Sequence, residues 1–228
     1  MRKCQCFQQA NAKKKNWNYP VHEDSQNLHC EAWFKLLEAI DQAAKDKREL
    51  FAPGKDLGSE YWNKIVTLPK EISQLKHVKH LMLYGSHLEW IPPEIGEMES
   101  LETFTPYTSY ALHWFPYEIT KCIKLNDSTV STRTLYGNYK HRWPFPPLKG
   151  NPVSLYIERA VCGVCGNKLG SEKLEQYWIS LRVATDVLPL LIHVCSDNCL
   201  NSLPKPQENY VSGPHKGGKN LQQPEPEW

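Results

Sequence analysis

Apolar residues between positions 28 and 44 recur at spacings of three and four: Leu28, Trp33, Leu36, Leu37, Ile40, Ala43 and Ala44. That rhythm gives a helix one apolar face. The Ala, Leu, Glu and Lys content of the stretch suits a helix as well, and Pro53 and Gly54 close it. After the helix the period changes. "LPKEI" begins at Leu68, "IPPEI" at Ile91 and "FPYEI" at Phe115, offsets of 23 and 24. "VKHLMLYGSHL" and "LETFTPYTSYAL" run between them, and a more polar copy, "LNDSTVSTRTL", starts at Leu125. A period in the twenties is the signature of a solenoid, in which stacked units share an apolar core that no single unit can bury.

Beyond the repeats, "VSLYIERAV" alternates as a strand does. "LEQYWISLRVA" and "VLPLLIHV" flank a turn. "WPFPPLKGNP" breaks the period and sets a boundary near residues 144–152. Residues 1–24 are polar, basic and aperiodic and read as a flexible segment. From Pro204 the chain is poor in apolar residues and rich in Pro, Gly and Gln, a disorder-type composition.

The segments over residues 60–148 resemble leucine-rich repeats, whose motif is L-x-x-L-x-L-x-x-N-x-L followed by x-x-L-P-x-x-I. Val78, Leu81, Leu83 and Leu88 fill the apolar slots of one copy. Leu101, Phe104, Pro106 and Leu112 fill the next, and Leu125, Ser128, Val130 and Leu135 the third. The asparagine slot holds Asn63 in a truncated first copy, then Ser86, Ser109 and Arg133. The resemblance implies an α/β protein: a short repeat solenoid over residues 60–150 with an N-terminal capping helix region at 25–59. A small zinc-stabilised α+β unit follows at 151–203, and a disordered tail at 204–228. Bacterial proteins with few, proline-rich repeats are similar in scale. Solenoids of this kind bind partners on the concave sheet face. In that register Leu81 and Leu83 point inward, so His80, Met82 and Tyr84 point outward. The equivalent outward sets are Thr103, Thr105 and Tyr107, then Asp127, Thr129 and Ser131.

Composition narrows the picture. The chain has 228 residues and a net charge of +2, so no charge imbalance demands nucleic acid. Eight tryptophans, and 17 prolines against 12 glycines, favour irregular turns packed by rings. No apolar run is long enough to span a bilayer, and "MRKCQCFQQANAKKK" lacks the apolar stretch of an export signal. These features predict a protein of the reducing cytoplasm, where structural disulfides are disfavoured.

The cysteines carry the clearest chemistry. Cys162 and Cys165 form C-x2-C, and thirty residues later Cys195 and Cys199 form C-x3-C. Four thiolates satisfy a tetrahedral zinc and leave no open position, which is the structural kind of site. Gly163 and Gly166 let the backbone turn around such an ion, and Ser196 or Asp197 suits the cap of a short helix. The block resembles treble-clef zinc fingers, in which a knuckle and a helix start each give two ligands. A redox C-x-x-C, an iron–sulfur cluster and inert buried thiols are the alternatives. His193 is either a substitute ligand or a packed strand residue. Cys4 and Cys6 lack nearby partners, and Cys30 and Cys122 sit in apolar patterns.

No phosphate-binding glycine loop, nucleophile elbow or metalloprotease helix motif occurs. Tyr136, His141 and Arg142 cluster in an aromatic-rich loop without a spacing that enforces catalysis. His77, His80, His87 and His113 take solvent-facing slots. Glu71, Glu94 and Glu118 recur one before an inward Ile, where a helix dipole favours them. Lys and Arg residues of the cysteine block alternate with acids and form no basic stripe. The expectation is therefore a non-enzymatic protein-binding chain with one structural Zn2+, monomeric or weakly self-associating, and without nucleic-acid or membrane partners. The rival is an enzyme or nucleic-acid factor centred on the zinc unit.

Overall fold

A computed structural model describes Val21 and residues 24–151, 161–168, 170 and 173–226. The strand expected at 153–161 except Val161, the fate of Cys4 and Cys6 and nearly all of residues 1–24 lie outside the described residues. The fold is mixed α/β, with a parallel sheet and a C-terminal cysteine-bearing α+β unit.

The amphipathic segment forms α1, Glu31–Lys45, which buries Ala32, Trp33, Leu36, Ile40 and Ala43. Leu28 stays exposed and Leu37 is only partly buried. Glu31 sits in the first turn and Lys45 in the last, each at the dipole end that favours its charge. A two-residue strand, β1 (Leu50–Phe51), follows directly, and sequence periodicity gave no sign of it. Two short helices come next, α2 (Pro53–Leu57) and α3 (Ser59–Trp62).

The 23- and 24-residue spacing then becomes geometry. β2 (His80–Met82), β3 (Thr103–Thr105) and β5 (Asp127–Ser128) pair in parallel, His80 with Thr103 and Thr103 with Asp127. β1 joins the other edge, with Leu50 opposite His80. Each strand is followed by a return segment containing a three-ten helix: Lys70–Gln74 before β2, then Pro93–Glu97, Tyr117–Lys121 and the shorter Thr132–Thr134. A proline precedes or opens the first three, presetting φ for the turn. Ile72, Ile95 and Ile119, all fully buried, point from these turns into the core. The core runs unbroken from α1 through Leu68, Leu81, Ile95 and Phe104 to Ile119.

Two of the expected asparagine slots, Ser86 and Ser109, hold buried hydroxyls. Ser86 Oγ donates to Ser109 Oγ (2.6 Å), and Ser109 Oγ lies within hydrogen-bonding distance of the Leu83 carbonyl (3.1 Å). Arg133, the residue expected at the third slot, is exposed, and Ser131 Oγ nearby accepts the Thr108 N–H at 2.8 Å. Small buried hydroxyls satisfy turn backbone that an amide would otherwise serve.

Two expectations fail in the C-terminal half. First, no boundary separates the halves near residue 150. β4 (Phe115–Pro116) pairs in parallel with β7 (Asp186–Val194), which pairs antiparallel with β6 (Glu175–Val183). Ile179, Leu181, Leu188, Leu190 and Ile192 from this hairpin belong to the same core as the stacked segments. The hairpin tip also closes the exposed edge of β5. Thr185 Oγ1 donates to the Ser128 carbonyl (2.8 Å), and Ser128 Oγ donates to Asp186 Oδ2 (2.7 Å).

Second, the Pro- and Gly-rich tail is folded over residues 204–226. The His215 N–H donates to the Trp178 carbonyl (3.0 Å) and the Trp178 N–H to the His215 carbonyl (2.8 Å). Gly218 N–H reaches Phe145, and Leu148 N–H reaches Lys216. Such a strap needs no core of its own. It uses backbone hydrogen bonds and covers a second cluster of Trp114, Tyr136, Phe145, Leu148, Trp178 and Leu191. No helix among the described residues is long and apolar enough to cross a membrane.

Candidate functional site

Two features stand out: the cysteine cluster and the outer face of the parallel sheet. The cluster sits where β7 ends. Ser196 is the N-cap of α4 (Asp197–Asn201), and its Oγ accepts the Cys199 N–H at 3.3 Å. The cap puts Cys195 just before the helix and Cys199 in its first turn. Cys162 and Cys165 come from a tight knuckle closed by Gly166, at φ +73°, whose N–H donates to the Cys162 carbonyl (3.0 Å). The Gly163 N–H donates to the His193 carbonyl (2.8 Å), pinning the knuckle to β7.

All four sulfurs lie within 4.8 Å of one another. Cys195 Sγ is 3.6 Å from both Cys165 Sγ and Cys199 Sγ. A zinc tetrahedron with arms of about 2.3 Å has edges of about 3.8 Å, so the donor set fits a four-thiolate ion. Electrostatics point the same way. Burial pushes the Cys162 thiol up, but the backbone N–H groups of Cys165, Val164 and Cys195 outweigh it and bring the thiol down to about 7. Hydrogen bonds with Cys199 and Cys165 push Cys195 up to about 12. Thiols this close cannot all ionise unless a cation offsets their mutual repulsion.

His193 is not a fifth donor. It is 2% exposed, and its Nε2 lies 3.1 Å from Gln176 Nε2 within β6. Of the remaining cysteines, Cys122 is buried, burial pushes its thiol up to about 11, and its Sγ lies 3.2 Å from the Ile95 carbonyl. Cys30 caps α1.

On the parallel sheet, Leu81 and Phe104 are buried, while His80, Met82, Thr103 and Thr105 on either side are partly exposed. Tyr84 and Tyr107 continue the row, 59% and 46% exposed, with ring centroids 6.1 Å apart. His80 Nε2 and Thr105 Oγ1 are hydrogen-bonded at 2.9 Å, so part of the face is internally satisfied. Burial lowers the His80 pKa, which keeps that ring neutral. Thr129 is exposed. Ser131 departs from its expected place. It is 8% exposed and turned to the Thr108 backbone, so it leaves the outward row.

Other expected surface residues are also inside. His113 is 1% exposed, with Nδ1 2.7 Å from the Thr134 carbonyl. Tyr136 is a core ring against Trp178 (5.8 Å) and Phe145 (6.1 Å), apart from the exposed His141. Arg142 instead donates to the Glu225 carbonyl of the strap. Glu118, expected with Glu71 and Glu94 in the first turn of a short helix, is 9% exposed. Its burial comes from the cysteine knuckle, a long-range contact that no local pattern carries.

Comparisons of the chain with protein-family models, curated proteins and solved structures found no match.

Proposed function

We propose that this chain is a divergent, leucine-rich-repeat type of binding protein, with one structural zinc and no catalytic role. On this reading the outer face of the parallel sheet is the recognition surface. His80, Met82, Tyr84, Thr103, Thr105, Tyr107 and Thr129 present it to a protein partner, while the site of Cys162, Cys165, Cys195 and Cys199 fixes the C-terminal end. One observation supports this most. Tyr84 and Tyr107 stand side by side, large and half-exposed, on a sheet whose other face is core. Tyrosine offers a wide apolar ring and a polar tip at modest ordering cost, which suits an interface centre. The 23-residue spacing of β2 and β3 in parallel register supports the family reading. The all-thiolate donor set supports a closed structural ion rather than a reactive one.

The test begins with a partner recovered with the native chain at fixed stoichiometry. The double substitution Tyr84→Ala, Tyr107→Ala should then weaken that complex by about 2 kcal/mol, roughly thirtyfold in Kd. Both rings are exposed, so the melting temperature should barely move. Unchanged affinity would place recognition elsewhere on the molecule.

A further inference from the structure

The three-ten helices Lys70–Gln74, Pro93–Glu97 and Tyr117–Lys121 stack on one another in succession. The cysteine knuckle folds over the end of this stack. Gly163 lies so close to Glu118 that a Cβ on it would come within 2.9 Å of Glu118 Oε1. Between stack and knuckle is a cavity of about 410 Å³, walled in part by Pro93, Gly96 and Val161 and in part by charged side chains. Small-molecule sites commonly have volumes of about 300–1,000 Å³ and combine an apolar wall with a few polar groups.

The charged groups of this wall are unequal. Glu97 is engaged by Lys76, 3.7 Å away. Glu118 is satisfied only in part: its own backbone N–H and the charge of Lys121 act on the carboxylate, but its Oε2 is buried and has no hydrogen-bond partner. A buried carboxyl oxygen left unpaired is costly and uncommon, and it asks for a donor. On the same wall, Lys121 and Lys168 have no carboxylate within 4 Å among the described residues. Both ammonium groups reach solvent at the rim of the cavity and can take an acceptor there. A simple anion could pair with Glu118 only if that carboxyl took up a proton. A simple cation would leave both lysines unpaired and add charge of their own sign.

We infer that this cavity binds a small zwitterion of the α-amino-acid kind, its ammonium seated on Glu118 and its carboxylate held by Lys121 and Lys168. Its side chain faces Pro93 and Val161. The site is separate from the tyrosine face and does not depend on the partner-binding reading.

Three matched probes test the idea: L-alanine, propionate without the amine, and ethylamine without the carboxylate. Each is titrated into the full zinc-loaded chain while amide resonances are followed by NMR. L-Alanine should produce saturable shifts at Gly96, Gly163 and Glu118, and each half-molecule should bind at least about tenfold more weakly. Glu118→Gln should lower the L-alanine affinity by about tenfold or more. The double substitution Lys121→Ala, Lys168→Ala, at surface positions, should do the same without altering the fold. It keeps the proposal open to failure if Glu118→Gln does not fold. No saturable shift with L-alanine would overturn the inference, as would propionate or ethylamine binding equally well. Unchanged affinity in the lysine variant would also overturn it.

Discussion

At the scale of single residues, the most consequential side chains are polar ones placed where only tertiary contacts could hide them. His215 is one. Its Nδ1 accepts the Gly217 N–H at 3.2 Å, so the ring proton sits on Nε2, and the ring meets Phe145 edge-on at 4.5 Å. Burial lowers its pKa to about 4. An unfolded imidazole ionises near 6.5. Between those values the unfolded chain binds a proton that the folded chain refuses. The contribution is therefore complete above pH 6.5 and is lost as pH falls toward 4, by up to about 3 kcal/mol. Glu118 and Asp186, whose pKa values burial raises, act in the opposite sense. They are common to wild type and variant and cancel in a comparison. Urea melts should show wild type losing about 2 kcal/mol more than His215→Gln between about pH 7 and about pH 4.5. Parallel losses would mean that the ring is not held neutral in the fold.

At the scale of elements, local pattern and structure agree where periodicity is set by neighbours in the chain. α1, the offsets of β2 and β3, the β6–β7 hairpin and the Ser196 cap all follow from spacing or turn chemistry. So does the cysteine quartet, because C-x2-C and C-x3-C fix the reach of each pair. The failures share a cause. β1 is two residues long and exists only because β2 lies beside it. Ser131 turns inward, where its Oγ accepts the Thr108 N–H across the stack. Glu118 and Gly96 record the closest approach of two three-ten helices, which no one-dimensional pattern displays. A Cβ on Gly96 would fall on the Glu118 carbonyl oxygen, and a backbone atom cannot swing aside. Gly213, by contrast, has nothing within 4 Å and an ordinary φ. Gly96→Ala should cost roughly 1–3 kcal/mol, the usual price of overpacking, and Gly213→Ala should lie within about 0.5 kcal/mol of wild type. Denaturant midpoints for the two variants make the comparison. A neutral Gly96→Ala would mean that the stack can open at this point.

For the whole molecule, the expected division into a repeat half and an independent zinc unit gives way to one continuous core. Sequence periodicity ends near residue 148, and that ending looks like a boundary. Yet the segment that breaks the period is bonded on both sides: Trp178 Nε1 donates to the Pro146 carbonyl (3.0 Å), and Gly218 N–H donates to Phe145. Phe115 and Pro116 pair with Leu190 and Leu191, so the stack of parallel segments continues sideways into the hairpin. The hairpin in turn carries Cys195 just beyond its last strand residue, and its His193 carbonyl anchors the knuckle. If the four cysteines hold the proposed zinc, the free energy of binding it is free energy of folding for the elements joined to the knuckle. Removing the ion with a strong chelator, or replacing Cys162 with Ser, should lower the melting temperature of the whole protein in a single transition. Tryptophan fluorescence reports both regions, since Trp33 lies in α1 and Trp178 in β6. Far-ultraviolet circular dichroism follows α1 independently. Coincident curves by the two probes, shifted together on metal loss, are expected of a shared core. An early transition that loosens the hairpin while α1 melts unchanged would show that the two halves are separate after all, despite the β4–β7 ladder.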